Sequence, residues 1–229
     1  EVSFGKILKN GLWFADMIIQ AYANAEDRPY LVHFATDGET YGHHHRHGDM
    51  ALAYALHYIQ TNELAQLTNC GEFLELNPPS YEVEIFENSS WSCAHGIERW
   101  QSDCGCKTGG QPEWNQGWRT PLREALDWLR DTMAPAYEQK VSMLLKDPWQ
   151  ARNDYIQVIV DRSTPSLTKF FEQQADHDLT PGEKITALKL LELQRHAMLM
   201  YTSCGWFFDE LSRPEPVQVI QYAGRVVQL

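Results

Sequence analysis

Apolar residues recur at three- and four-residue steps from about Gly5 to Ala25, with Ile7, Leu8, Trp13, Phe14, Met17, Ile18, Ala21 and Tyr22 on one face. That period predicts an amphipathic helix. Arg28-Pro29 interrupts it, because the residue before a proline is pushed out of the α region. Tyr30-Leu31-Val32-His33-Phe34-Ala35-Thr36 is a short, mostly apolar run, which predicts a buried strand. A polar loop rich in glycine and histidine follows from Asp37 to Gly48, and Asp49 is placed to cap a helix running to about Ala65. Helix, buried strand, loop and helix in succession imply an α/β layer or barrel, where chemistry sits beyond the C-terminal end of a strand.

From Gly71 to Gly117 the pattern turns irregular. It contains Pro78-Pro79, the alternating run Glu82-Val83-Glu84-Ile85-Phe86, and a Cys/Trp/Gly-rich stretch from Trp91 to Trp118. Loops of that length within a compact domain usually serve function. Beyond it the periodicity predicts helices at about 121–145, 149–161, 166–176 and 181–208. Thr120-Pro121 and Asp147-Pro148 supply an N-cap followed by proline, and Thr180-Pro181-Gly182-Glu183 reads as a capping box. Pro135 is expected to kink or split the first of these. The expected fold class is α/β plus α, predominantly helical, with residues 1–118 closing an α/β layer and 119–229 forming a helical bundle.

Composition sets limits on partners. The 229 residues are 43% hydrophobic and 22% charged, which is enough apolar material for a packed core. Nineteen basic against thirty-one acidic side chains give a net charge of −12. With no basic run to offset it, this charge repels phosphate backbones and anionic lipid, so neither nucleic acid nor membrane is an expected partner. No apolar stretch approaches the roughly 20 residues of a spanning helix. Five cysteines, an odd number, fit thiols or a metal in a reducing cytoplasm better than a disulfide framework. The chain lacks an initiator methionine and a signal-peptide pattern, so the expectation is a piece of a longer polypeptide.

The densest chemistry lies in Asp37-Gly38-Glu39-Thr40-Tyr41-Gly42-His43-His44-His45-Arg46-His47-Gly48. Residues i and i+2 of an extended chain project to one side, so a strand ending here would present Asp37 and Glu39 together. Paired, partly buried carboxylates suit general acid catalysis. The plain alternative is a solvated loop whose acids cap the next helix. A catalytic metal on His43, His44, His45 and His47 is a third reading, although consecutive loop histidines cannot all face one ion.

These residues resemble glycoside hydrolase family 57. In its fourth sequence region, an Asp at a strand end is followed by a small residue, Glu, two more positions with the second aromatic, then Gly and often His, as in Asp37 to His43 here. Leu76-Asn77-Pro78-Pro79 and Ser89-Ser90-Trp91-Ser92 are similar to the family's Pro-Pro and Ser-Trp-Gly segments, with Ser92 in place of the Gly. Tyr201 to Phe208 is similar to the fifth region, with Gly205 where an Asp is common. The resemblance implies a retaining enzyme acting on α-glucans by hydrolysis or glucan transfer, and the C-terminal end of a distorted α/β barrel. It implies Asp37 as general acid/base, and Glu39, Tyr41, His43, His44, Trp91 and Trp206 as substrate-binding residues. No cofactor is needed for catalysis. The nucleophilic Glu has no counterpart among these residues and is expected on an N-terminal portion of the same polypeptide, leaving the isolated piece inactive. The Cys-rich segment and helical end resemble an uncharacterised domain that follows some family 57 catalytic domains. The alternatives are a non-catalytic carbohydrate-binding or scaffold domain, and a metal-dependent hydrolase using the histidines. For Trp91 and Trp206 the competing reading is core packing.

A second constellation is Cys93-x-His95, then eight residues, then Cys104-x-Cys106. Four soft ligands suffice for a closed tetrahedral zinc site. Buried free thiols and a disulfide are the other two readings. Cys70 and Cys204 read as core thiols, and Glu98-Arg99 as a surface ion pair.

Overall fold

The computed structural model describes residues 2–22 and 29–229, which form two compact units, Glu1–Glu84 and Ile85–Leu229. Among the described residues every regular element is helical, and the sole β-type pairing is an isolated bridge between Leu145 and Ala175. The α/β barrel end is therefore corrected to an all-helical architecture. Among the described residues no helix is long and apolar enough to cross a membrane.

In the first unit a 3-10 turn, Ile7–Lys9, leads into α1 (Gly11–Gln20), whose start is fixed by the Asn10 side chain accepting the amides of Leu12 and Trp13. The end of the helix expected to reach Ala25, and Arg28 before Pro29, lie outside the described residues. α2 (Gly48–Thr61) packs Ala51, Ala55 and Ile59 against Phe14 and Ala15 of α1. The run from Tyr30 to Thr36 is not a strand. Among the described residues it has no neighbouring strand to satisfy its amides and carbonyls, and it touches α1 and the turn just after it through aromatic contacts. Phe34 sits 5.3 Å from Phe14, and Tyr30 sits 5.9 Å from Tyr22. A short apolar run bounded by a turn signal fits such a cover as well as it fits a buried strand. α3 (Cys70–Leu76) falls where the sequence pattern predicts irregular chain. Its signal is the spacing Asn69…Glu72, where the Asn69 side chain accepts the Glu72 amide at 3.0 Å. Cys70 is exposed rather than a core thiol, and so is Cys204.

The second unit is a long irregular segment followed by six helices: α4 (Arg119–Val141), α5 (Pro148–Asp154), α6 (Ile156–Val160), α7 (Thr164–Gln174), α8 (Pro181–Leu199) and α9 (Pro214–Gln228). α4 begins two residues before Pro121, in whose first turn a missing amide costs nothing, and Pro135 does not split it. The stretch predicted as one helix at 149–161 is broken at Tyr155. The helix predicted to reach 208 ends at Leu199 and gives way to a 3-10 turn, Ser203–Trp206. Within that turn the Gly205 backbone approaches Val219 so closely that a Cβ would run into the valine side chain. α9 escaped the sequence pattern, although Arg213-Pro214 places a proline at its first turn.

Two apolar cores hold this unit. One joins Tyr137 and Val141 of α4 to Tyr155, Phe170, Phe171 and Leu191. The other joins Leu126 to Leu193, Met200, Trp206, Val219 and Val226. α8 starts with the predicted capping box: Thr180 Oγ1 accepts the Glu183 amide, and Glu183 accepts the Thr180 amide at 2.8 Å. Thr180→Ala is expected to cost about 1 kcal/mol, read as a lowered midpoint in urea with an unchanged slope; an unmoved midpoint would mean that tertiary packing alone sets the start of α8.

Candidate metal centre

Cys93, His95, Cys104 and Cys106 come together in the irregular segment of the second unit, their ligand atoms all within 4.8 Å of one another. Among the described residues this is the one constellation of His, Cys, Asp and Glu side chains that converges in this way. Two glycines shape it. Gly105, between the two C-terminal cysteines, has φ +77°, a left-handed conformation that turns the short Cys-Gly-Cys link back on itself. Gly96 has the same φ, and a side chain there would collide with the Asn88 carbonyl. Ser90 Oγ donates to the Gly96 carbonyl at 2.7 Å and closes the N-terminal half of the loop.

Sulfur separations are 3.9 Å for Cys93–Cys104 and 3.8 Å for Cys93–Cys106. His95 Nδ1 lies 3.5 Å from Cys106 Sγ and 4.0 Å from Cys93 Sγ. A tetrahedron with Zn–S legs of about 2.3 Å and a Zn–N leg of about 2.0 Å has S···S edges of about 3.8 Å and S···N edges of about 3.5 Å. The four atoms thus sit near the corners such an ion requires, and the sulfurs are too far apart for a disulfide. All five cysteines are free. Three thiols and an imidazole form a soft donor set that suits zinc and leaves no open coordination position, which is the pattern of a structural site.

The thiols differ. Burial pushes the Cys106 thiol up, but hydrogen bonds with His95, Cys104, Cys93 and Arg99 outweigh it and bring Cys106 down to about 6. For Cys104, burial raises the thiol, as do its contacts with Cys106 and Cys93, against a backbone hydrogen bond with Cys106. The contacts around Cys106 thus favour its thiolate, the form a metal binds.

Around the thiols lies a shell that the sequence pattern did not single out. Arg119, the first residue of α4, is fully buried; its guanidinium donates to Cys104 Sγ at 3.9 Å and to the carbonyls of Cys106, Phe207 and Phe208 at 3.5 Å. Arg99 is buried too, over the Phe207 ring at 4.4 Å, so it is no surface ion pair. Glu98 instead accepts from Ser102 and Gln101. Buried Asp209 accepts the amides of Thr108 and Gly110 at 2.9 and 3.1 Å, which ties the chain just after Cys106 to the turn before α9. An arginine inside the Cys-rich segment and another directly after it were the available signal for this shell.

The residues of the Asp37 loop lie in one continuous segment of the first unit. Gly38–Tyr41 is a 3-10 turn, so Asp37 and Glu39 are not adjacent side chains of an extended strand; both are exposed. Tyr41 is half-buried, with its hydroxyl 3.1 Å from Thr36 Oγ1. His43 and His44 are exposed, their rings 5.3 Å apart. His45 Nε2 pairs with the Ser3 carbonyl at 2.8 Å, and His47 adopts a left-handed φ of 65° ahead of α2. These histidines do not converge as ligands. In the second unit Trp91 is 89% exposed, whereas Trp206 is 1% exposed and stacked on Trp118 at 6.1 Å. Trp91 thus offers a face to solvent and Trp206 offers none.

Residues 114–229 match the family model described as a domain of unknown function, DUF3536. No curated protein and no solved structure matches the chain.

Proposed function

Since the chain belongs to the DUF3536 family, we propose that it is the C-terminal part of a family 57-like glycoside hydrolase or glucanotransferase acting on α-glucans, with a structural zinc held by Cys93, His95, Cys104 and Cys106. The observation that carries this reading is order along the chain. A family-matched domain of unknown function follows the Asp37 motif, as the resemblance implies for the domain that trails some family 57 catalytic regions.

In that role the exposed Asp37 carboxyl protonates the departing glycosidic oxygen and then takes a proton from water or an acceptor hydroxyl. Retaining chemistry needs a second carboxylate on the order of 5 Å away as nucleophile, and the resemblance assigns that group to a Glu outside these 229 residues. Glu39, His43 and His44 share the exposed loop and are available to sugar hydroxyls. Trp91, in the second unit, keeps an exposed ring face.

Asp37→Asn in the full polypeptide is expected to lower α-glucan turnover at least about 100-fold, the range of a lost general acid/base, with glucan binding retained in a pull-down on insoluble starch. Unchanged turnover in the variant would overturn the catalytic role. A wild-type polypeptide that binds glucan and turns over none would assign the chain to carbohydrate binding instead.

A further inference from the structure

Two buried guanidinium groups beside three thiols are an unusual concentration of charge. Arg119 is fully buried and Arg99 nearly so, and each leaves guanidinium nitrogens with no hydrogen-bond partner: Nε of Arg119, and Nε and Nη1 of Arg99. Buried, unpaired cations are costly unless an anion faces them. The carboxylates near Arg119 are Asp209 and Asp103. Asp103 is exposed, so water screens it, and Asp209 spends its oxygens on backbone amides of the 108–110 segment. One buried carboxylate does not match two arginines.

The thiols supply the difference. A divalent ion with three thiolates and a neutral imidazole carries one net negative charge. Together with Asp209 it sets two negative charges against the two guanidinium groups. The contacts are in place for this: Arg119 points Nη1 at Cys104 Sγ, and Arg99 lies beside Cys106. Groups outside the ligand set that hydrogen-bond to the ligands set their charge and orientation and change metal affinity by roughly 10- to 100-fold.

We propose that Arg99 and Arg119 are positioning residues of the metal centre, holding a net-anionic zinc–thiolate group by charge inside the second unit. This rests on the zinc reading and adds how the centre is tuned. It also explains why a loop-borne centre is anchored on the first residue of α4: the cation that balances the metal is itself clamped by the carbonyls of Phe207 and Phe208.

The test is zinc affinity of the full chain, by competition with a chromophoric chelator, with far-ultraviolet circular dichroism confirming the helical fold. Arg119→Met and Arg119→Gln are each expected to weaken zinc binding at least 10-fold, while Arg119→Lys, which keeps the charge, stays within a few-fold of wild type. An Arg119→Met affinity within twofold of wild type would overturn the inference. A lysine variant as weak as the methionine variant would overturn it too, since contact shape rather than charge would then matter. Should Arg119→Met not fold, Arg99→Met is read by the same criteria. A wild-type chain that binds no zinc would instead sink the zinc reading on which the inference stands.

Discussion

Cys104→Ser is expected to abolish the response of the protein to zinc and to lower its thermal midpoint by about 8–16 °C. The size follows from linkage. Zinc at about 1,000 times its dissociation constant stabilises a folded chain by about 4 kcal/mol, and each kcal/mol moves the midpoint of a chain this long by roughly 2–4 °C. Cys104 is one of the four clustered donor residues and also faces Arg119, so serine removes a soft donor and weakens the match to a buried cation. The loss should be local first. The core of Tyr137, Tyr155, Phe170 and Leu191 is built by helices other than the Cys-bearing loop, and its amides should remain protected from hydrogen exchange when the 93–110 segment opens. The check is thermal denaturation of wild type and variant with and without chelator. Wild type should fall on chelation to near the variant, and the variant should not respond. A wild-type midpoint unmoved by chelation would refute a stabilising metal.

Trp206→Ala should cost about 3–5 kcal/mol, the range for removing a buried tryptophan and leaving a cavity. Trp206 packs among Leu126, Leu193, Met200 and Val219, and Trp118 stacks on it at an interplanar angle of 19°. The neighbouring Gly205 has its backbone against Val219, so the chain cannot collapse inward to fill the space. On the scale above, the midpoint drops by roughly 6–20 °C. A sugar-stacking tryptophan behaves in the opposite way, losing glucan affinity with little change in stability. An unchanged midpoint together with weakened starch binding would return Trp206 to the substrate-facing role that the fifth-region resemblance implies.

Local signals carried the helices best where they were chemically explicit. Asp147-Pro148 and Thr180-Pro181-Gly182-Glu183 each name a cap, a proline at the first turn and a start, and both helices begin there. Ends were harder: α8 stops at Leu199, and the turn that follows packs the Gly205 backbone against Val219, a contact invisible in a periodic apolar run. The Tyr30–Thr36 run misled for a related reason. Apolar content predicts burial, but only a partner strand makes a strand, and in this chain the run covers a helix instead. Asp37 and Glu39 follow from the same run: their expected side-by-side geometry required an extended backbone where the chain makes a 3-10 turn.

The Cys93–Cys106 constellation was legible because thiol and imidazole spacing is itself the chemistry: four ligands, tight chelating pairs and one loop between them. Its arginine shell was not, since Arg99 and Arg119 look like any polar residues until burial shows that neither meets water. Cys70 and Cys204 stand apart from that group, exposed at the surface rather than packed as core thiols.

Native mass spectrometry of the full chain, prepared without added metal or chelator, tests the metal centre most directly. The account predicts one zinc per chain, lost together with the fold of the 93–110 segment on acidification and absent from Cys104→Ser. A wild-type chain whose mass shows five free thiols and no metal, or a disulfide within the Cys93–Cys106 cluster, would contradict it.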